Sequence, residues 1–127
     1  MQQPYNIIEV ANSHGGNLDY LLELVDSFAD LQENVGMKFQ AFHPDKIATS
    51  DFSAYNLYHE LHFNNAEWCQ VIKKASATKD VWLDIFDLYG VEILKEQIDL
   101  IYGIKFQSSV LYNYEVFEAI SSCNLSG

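Results

Sequence analysis

Short runs rich in β-branched and aromatic residues alternate four times with longer stretches of helical period, and this alternation limits the fold more than any other feature of the chain. A strand, a helix and a second strand in succession imply a crossover connection, which makes the strands parallel. Tyr5–Ala11 (YNIIEVA) reads as the first strand. Asn17 is placed to cap the helix that follows, with Asp19 in its first turn and Leu21, Leu22, Val25, Phe28 and Ala29 along one face. Gly36–Phe42 is the second strand. Residues 43–63 (HPDKIATSDFSAYNLYHELHF) are too many for a tight turn and read as an insertion, partly helical over Tyr55–Leu61. Asn64 or Asn65 caps the next helix, which carries Trp68, Val71 and Ile72. Val81–Ile85 is the third strand, Leu88–Ile98 a helix with apolar residues at 88, 91, 94 and 98, and Ile101–Gln107 the fourth strand. A last helix starts at about Asn113 and runs through Val116, Phe117 and Ile120. The expectation is an α/β fold of four parallel βα units in one domain, 1–127.

Composition narrows the function classes. With 127 residues the chain is the size of one domain, and no apolar run approaches the ~20 residues of a membrane span. MQQPYNIIEV lacks the basic and apolar regions of a secretory leader, so the expected location is cytoplasmic. Cys69 and Cys123 have no metal-ligand or redox spacing. The 18 acidic residues face 7 basic ones, all lysine, for a net charge of −11. Such a surface repels nucleic acid and anionic lipid, which excludes both as expected partners.

Against that background two strands carry a lysine in mid-run, in the strings GMKFQ (36–40) and GIKFQ (103–107). Side chains alternate along a strand, so Lys and Gln share one face and Phe takes the other. Phe39 and Phe106 are then expected against helices, while Lys38, Gln40, Lys105 and Gln107 share the opposite face. The same alternation puts Glu9 of the first strand and Asp84 of the third with them. Charge enclosed on such a face must pair, shift its pKa or meet a ligand. Two readings follow: structural ion pairs, Glu9 with one lysine and Asp84 with the other, or a polar ligand site in which converging lysines favour a carboxylate or phosphate. YHELH (58–62) spaces His59 and His62 three apart, unlike the metal-binding HExxH, and reads as a solvated turn. His14 belongs to the first βα loop, and His43 precedes Pro44 in a turn.

With these residues placed, the chain resembles the N-terminal part of the sialic acid synthase (NeuB) family, the phosphoenolpyruvate-dependent N-acylneuraminate synthases. IEVANSHGGNL is similar to the family's A-E-I-G-x-N-H-x-G-D/S-L, with Glu9, His14, Gly16 and Leu18 aligned. MKFQA resembles V-K-F/H-Q-T, LDIFDLYGVEIL resembles S-T-P-F-D-L-E-S-V-D-F-L, and IKFQSSVLYNYEVFEAI resembles Y-K-I-x-S-G-E-x-N-N-x-P-L-L-E-A-I.

The resemblance implies a TIM barrel enzyme that joins phosphoenolpyruvate to an N-acylated amino sugar such as N-acetylmannosamine and releases phosphate, with a divalent metal, manganese or magnesium, as cofactor. It further implies that Glu9 and Lys38 act in catalysis, that Lys38 and Lys105 hold the phosphoenolpyruvate carboxylate and Ser108 its phosphate, and that Glu9 and Gln40 hold the amino sugar. Asp84 stands where the family has a carboxylate-binding threonine, and Ser108-Ser109-Val110 where it has Ser-Gly-Glu. Four βα units are about half of a TIM barrel, which takes eight units and roughly 250 residues. The family's metal ligands lie in the other half, so no metal site is expected in this chain. The uncovered edges of the first and fourth strands are expected to drive homo-oligomerisation or pairing with a complementary half. The alternative is a non-catalytic half-barrel that acts as an association or small-ligand-binding module.

Overall fold

A computed structural model describes residues 4–31 and 34–124. Four strands, β1 (Asn6–Ala11), β2 (Val35–Ala41), β3 (Asp80–Ile85) and β4 (Ile101–Phe106), form one parallel sheet in the order β1-β2-β3-β4. Every strand pairs with the next in sequence, so all crossovers step the same way and their helices lie on one face. This is the arrangement of half a (β/α) barrel. Helices α1 (Leu18–Ser27), α4 (Asn65–Ser76), α5 (Leu88–Glu96) and α6 (Tyr114–Ser121) form the outer layer, with α1 against α4 and α5 against α6. No helix among the described residues is long and apolar enough to cross a membrane.

Each helix begins where the local chemistry allows. Asn17 accepts from the Tyr20 amide, and Asn64 and Glu67 form a reciprocal capping box. The core fills the space between helices and sheet: Met37, Phe39, Val81, Leu83 and Ile85 from the strands meet Leu21, Val71, Ile72 and Leu94, all without exposed surface. Phe39 sits edge-on to Trp68, and Phe106 lies against Phe117 on α6, as the strand alternation requires.

The other face is bare, and it is concave. Tyr5 and Tyr102 come from opposite edges of the sheet, which would stand roughly 14 Å apart were it flat, yet their rings stack with centroids 6.1 Å apart. Trp82 of β3 packs against both rings, its centroid 6.2 Å from Tyr5 and 5.5 Å from Tyr102. Its indole occupies the space above Gly36 and Gly103, where an added Cβ would come within 2.7 Å and 2.4 Å of the ring. The glycine of each G-x-K-F-Q string therefore makes room for Trp82. A bulge in β4 shifts the register between Val81 and Trp82, leaving Tyr102 as the extra residue.

The insertion between β2 and α4 folds as two short helices, α2 (Pro44–Ile47) and α3 (Tyr55–Leu61), beyond the C-terminal strand ends. It packs onto the β1–α1 loop at Gly16, whose φ is +77° and whose Cβ position lies 1.9 Å from the Glu60 carbonyl oxygen. Gly15, at φ +58°, faces open space. Both Gly15→Ala and Gly16→Ala impose backbone strain of about 1–3 kcal/mol. Only Gly16→Ala also drives a methyl into backbone, so chemical denaturation should show it to be the more destabilising by at least ~1 kcal/mol. Equal losses would mean that the insertion does not rest on this loop.

Candidate functional site

The charged residues of the concave face form a cluster on the C-terminal side of the Trp82 layer. Lys38, almost fully buried, reaches Glu9 Oε2 at 2.6 Å and Asp84 Oδ2 at 3.8 Å. Lys105 approaches Asp84 from the other side, its Nζ 3.7 Å from Oδ1. Gln40 Nε2 donates to Asp84 Oδ2 at 3.3 Å. Five of the residues singled out from the sequence, Glu9, Lys38, Gln40, Asp84 and Lys105, are thus joined across all four strands.

Their environments differ. Asp84 has no exposed side-chain surface, whereas Glu9 and Lys105 are 44% and 50% exposed. Burial pulls the Lys38 amine downward, but the hydrogen bond to Glu9 and the charges of Asp84 and Glu9 outweigh it and leave its pKa above the ordinary lysine value. Lys38 therefore stays an ammonium. Asp84 Oδ1 is buried and has no hydrogen-bond partner among the described residues, since the Lys105 amine at 3.7 Å is a neighbouring charge and lies beyond hydrogen-bond reach.

Ser108 is not joined to the cluster. It begins a single 3-10 turn, Ser108–Val110, past the end of β4, and its side chain is exposed. Ser109 instead lines a cleft of about 330 Å³ with Lys46, Tyr58, Phe86 and Asn113, between the insertion and the β4–α6 loop. A larger cleft, about 530 Å³, lies at the N-terminal strand ends around Lys79, Asp80 and Tyr102, away from the cluster. The charged residues themselves line the open concave face.

Three supports of the site escape a reading of sequence pattern. Asp87 caps α5 through the Gly90 amide and accepts from the His43 amide at 2.7 Å, tying the β2–α2 and β3–α5 loops together. Burial pushes its carboxyl upward against those hydrogen bonds. His62 is half-buried and bonded through Nδ1 to the Phe42 carbonyl at 2.9 Å, so of the two histidines in YHELH only His59 is solvated as expected. In the N-terminal layer Trp82 donates to Tyr5 Oη, which donates to Asp80, and burial raises the Tyr5 phenol to about 12. The signal for this layer was present in the glycine that precedes each lysine by two positions. Among the described residues, no group of three or more His, Cys, Asp or Glu could hold a metal ion. The divalent metal implied by the resemblance has no ligand set here, and no chemical step on this chain is assigned to it.

No protein-family model matches the chain, and no curated protein matches it by sequence. By fold it is similar to an N-acetylneuraminic acid (sialic acid) synthetase from Leptospira borgpetersenii, solved with citrate, at TM-score 0.79 and 24% identity over 94% of this chain. It is also similar to spore coat polysaccharide biosynthesis protein E from Chromobacterium violaceum, at TM-score 0.80 and 20% identity over 96% of this chain. A Bacillus subtilis spore coat polysaccharide biosynthesis protein aligns with 80% of this chain at TM-score 0.57 and 20% identity. The chain spans 41% of the Leptospira protein, 39% of the Chromobacterium protein and 28% of the Bacillus protein. The fold is shared, and one of these neighbours is a sialic acid synthetase, the kind of protein to which the four sequence motifs point.

His14 carries a pH signature. It is buried, its Nδ1 accepts from the Gly16 amide at 2.9 Å, and it packs on Phe63, leaving Nε2 without a partner. Burial lowers its pKa below 6.5. The folded value is the depressed one, so the stability it confers is present above pH 6.5 and is lost as pH falls through the folded value. His14→Asn keeps an acceptor for Gly16 and cannot protonate. Thermal midpoints should fall less between pH 7.5 and pH 5 in His14→Asn than in wild type, whereas parallel pH profiles would show that His14 does not titrate with unfolding.

Proposed function

We propose that this chain is the N-terminal half-barrel of a sialic-acid-synthase-like enzyme of carbohydrate biosynthesis, a cytoplasmic transferase acting on phosphoenolpyruvate and an N-acylated amino sugar. One observation carries the reading: all four strands deliver charged or amide side chains to one cluster at the C-terminal side of the concave face, where (β/α) barrels build their active sites. Lys38 and Lys105 supply the positive charge for the phosphoenolpyruvate carboxylate. Glu9, half-exposed and fixed by Lys38, accepts from sugar hydroxyls, and Gln40 adds an amide to the same site. Glu9 and Lys38 act together as the pair closest to the reacting groups. In the reaction, C3 of phosphoenolpyruvate bonds to the sugar's aldehyde carbon, water adds at C2 and phosphate leaves. Ser108, beyond the strand end, serves the phosphate only if the 3-10 turn brings it inward. The manganese or magnesium ion of such an enzyme would be held by residues of the other half of the barrel.

A second reading rests on the bare face itself. Tyr5, Ile7 and Tyr102 are exposed there, and among the described residues β1 and β4 each lack a partner on their outer edge. We propose that these edges pair with a complementary half or a second copy, in the role of an association module if no catalysis is found.

Two measurements test these readings. Given phosphoenolpyruvate, N-acetylmannosamine and manganese, the 127-residue chain alone should release no phosphate. Combined with the C-terminal half of the Leptospira synthetase, it should release phosphate in a manner abolished by Lys38→Ala; release that is indifferent to Lys38→Ala would refute the enzymatic reading. Light scattering at micromolar concentration should give a mass above 14.6 kDa, and a clean monomer would contradict association.

A further inference from the structure

The position between the two lysines is already taken by a carboxylate of this chain. Asp84 has no exposed side-chain surface and presents one oxygen to each amine, Oδ2 to Lys38 at 3.8 Å and Oδ1 to Lys105 at 3.7 Å. Glu9 holds Lys38 from the other side at 2.6 Å, so two lysines and two carboxylates cancel. A ligand carboxylate arriving here finds no surplus positive charge, and it meets the like charge of Asp84 in a setting where water screens poorly.

The contact is close without being tight. Among the described residues Gln40 supplies the one side-chain hydrogen bond to Asp84, on Oδ2, and Oδ1 is buried with none. A carboxylate built only to brace the sheet would be expected to satisfy both oxygens, because a buried unpaired acceptor costs stability. Lys105, half-exposed and outside hydrogen-bond distance, can turn toward a better anion. We propose that Asp84 competes with ligand carboxylates for Lys38 and Lys105, making it the residue that sets the anion affinity of this face. The inference rests on the reading above only in taking the two lysines as the anion-binding groups.

Isothermal titration with phosphoenolpyruvate at low ionic strength tests it, using wild type, Asp84→Asn and the double variant Asp84→Asn/Lys105→Met. Asp84→Asn keeps the shape and an acceptor for Gln40, and should bind at least tenfold tighter than wild type, about 1.4 kcal/mol. That gain should vanish in the double variant. Equal affinity in wild type and Asp84→Asn, or a gain that survives Lys105→Met, overturns the proposal. Asp84→Thr is the second charge-free variant; loss of fold in both, seen by circular dichroism, would make Asp84 a structural brace and overturn it as well. The outcomes separate the two readings. Tighter phosphoenolpyruvate binding with no uptake of N-acetylmannosamine would sink the synthase reading and leave the competition standing, whereas equal affinities sink the competition alone.

Discussion

A carboxylate with no exposed surface needs cations within reach, and Asp84 has one on each side. That requirement organises the concave face. Asp84 belongs to a central strand, so its partners must come from the flanking strands, and each contributes a lysine from the same G-x-K-F-Q string. The repetition has a local physical cause. The lysine of each string serves Asp84, and the glycine two residues earlier leaves room for the indole of Trp82. One strand, with Trp82 and Asp84 on its inner face, thus sets what both neighbours can carry.

The face is consequently layered. Tyr5, Trp82 and Tyr102 close the N-terminal part with stacked rings and a hydrogen-bonded chain to Asp80. The charged cluster lies on top, with its exposed members, Glu9 and Lys105, at the rim. Around it the loops brace one another: Gly16 under the Glu60 carbonyl, and Asp87 bonded to the His43 amide. Loops braced in this way around a polar cluster serve the positioning of a small ligand.

Most of this was legible in the sequence because βα units write themselves in two periods. The four strands, the helix from Asn17, a capping asparagine at 64 or 65 and the helical turn at Tyr55–Leu61 follow from apolar spacing and cap chemistry, and the structure has all of them, with Asn64 as the cap. Strand alternation alone put Glu9, Lys38, Gln40, Asp84 and Lys105 on one face. Alternation says nothing about reach, and so it could not show that both lysines converge on Asp84; of the two readings, the ion-pair one has both its pairs, Glu9 with Lys38 and Asp84 with Lys105, and Asp84 adds a second contact to Lys38. Ser108 was placed by motif position; β4 ends at Phe106, and Ser108 begins a 3-10 turn beyond it. Asp87 and His62 act through backbone groups of distant loops, contacts that no local spacing encodes.

The coupling between Asp84 and Lys38 is the point on which the account stands. A double-mutant cycle on unfolding free energy, built from Asp84→Asn, Lys38→Met and the double variant, measures it directly. The geometry predicts an interaction energy above ~1 kcal/mol, as expected of neighbours in one buried network. Effects that add to within about 0.5 kcal/mol, the behaviour of independent sites, would contradict it.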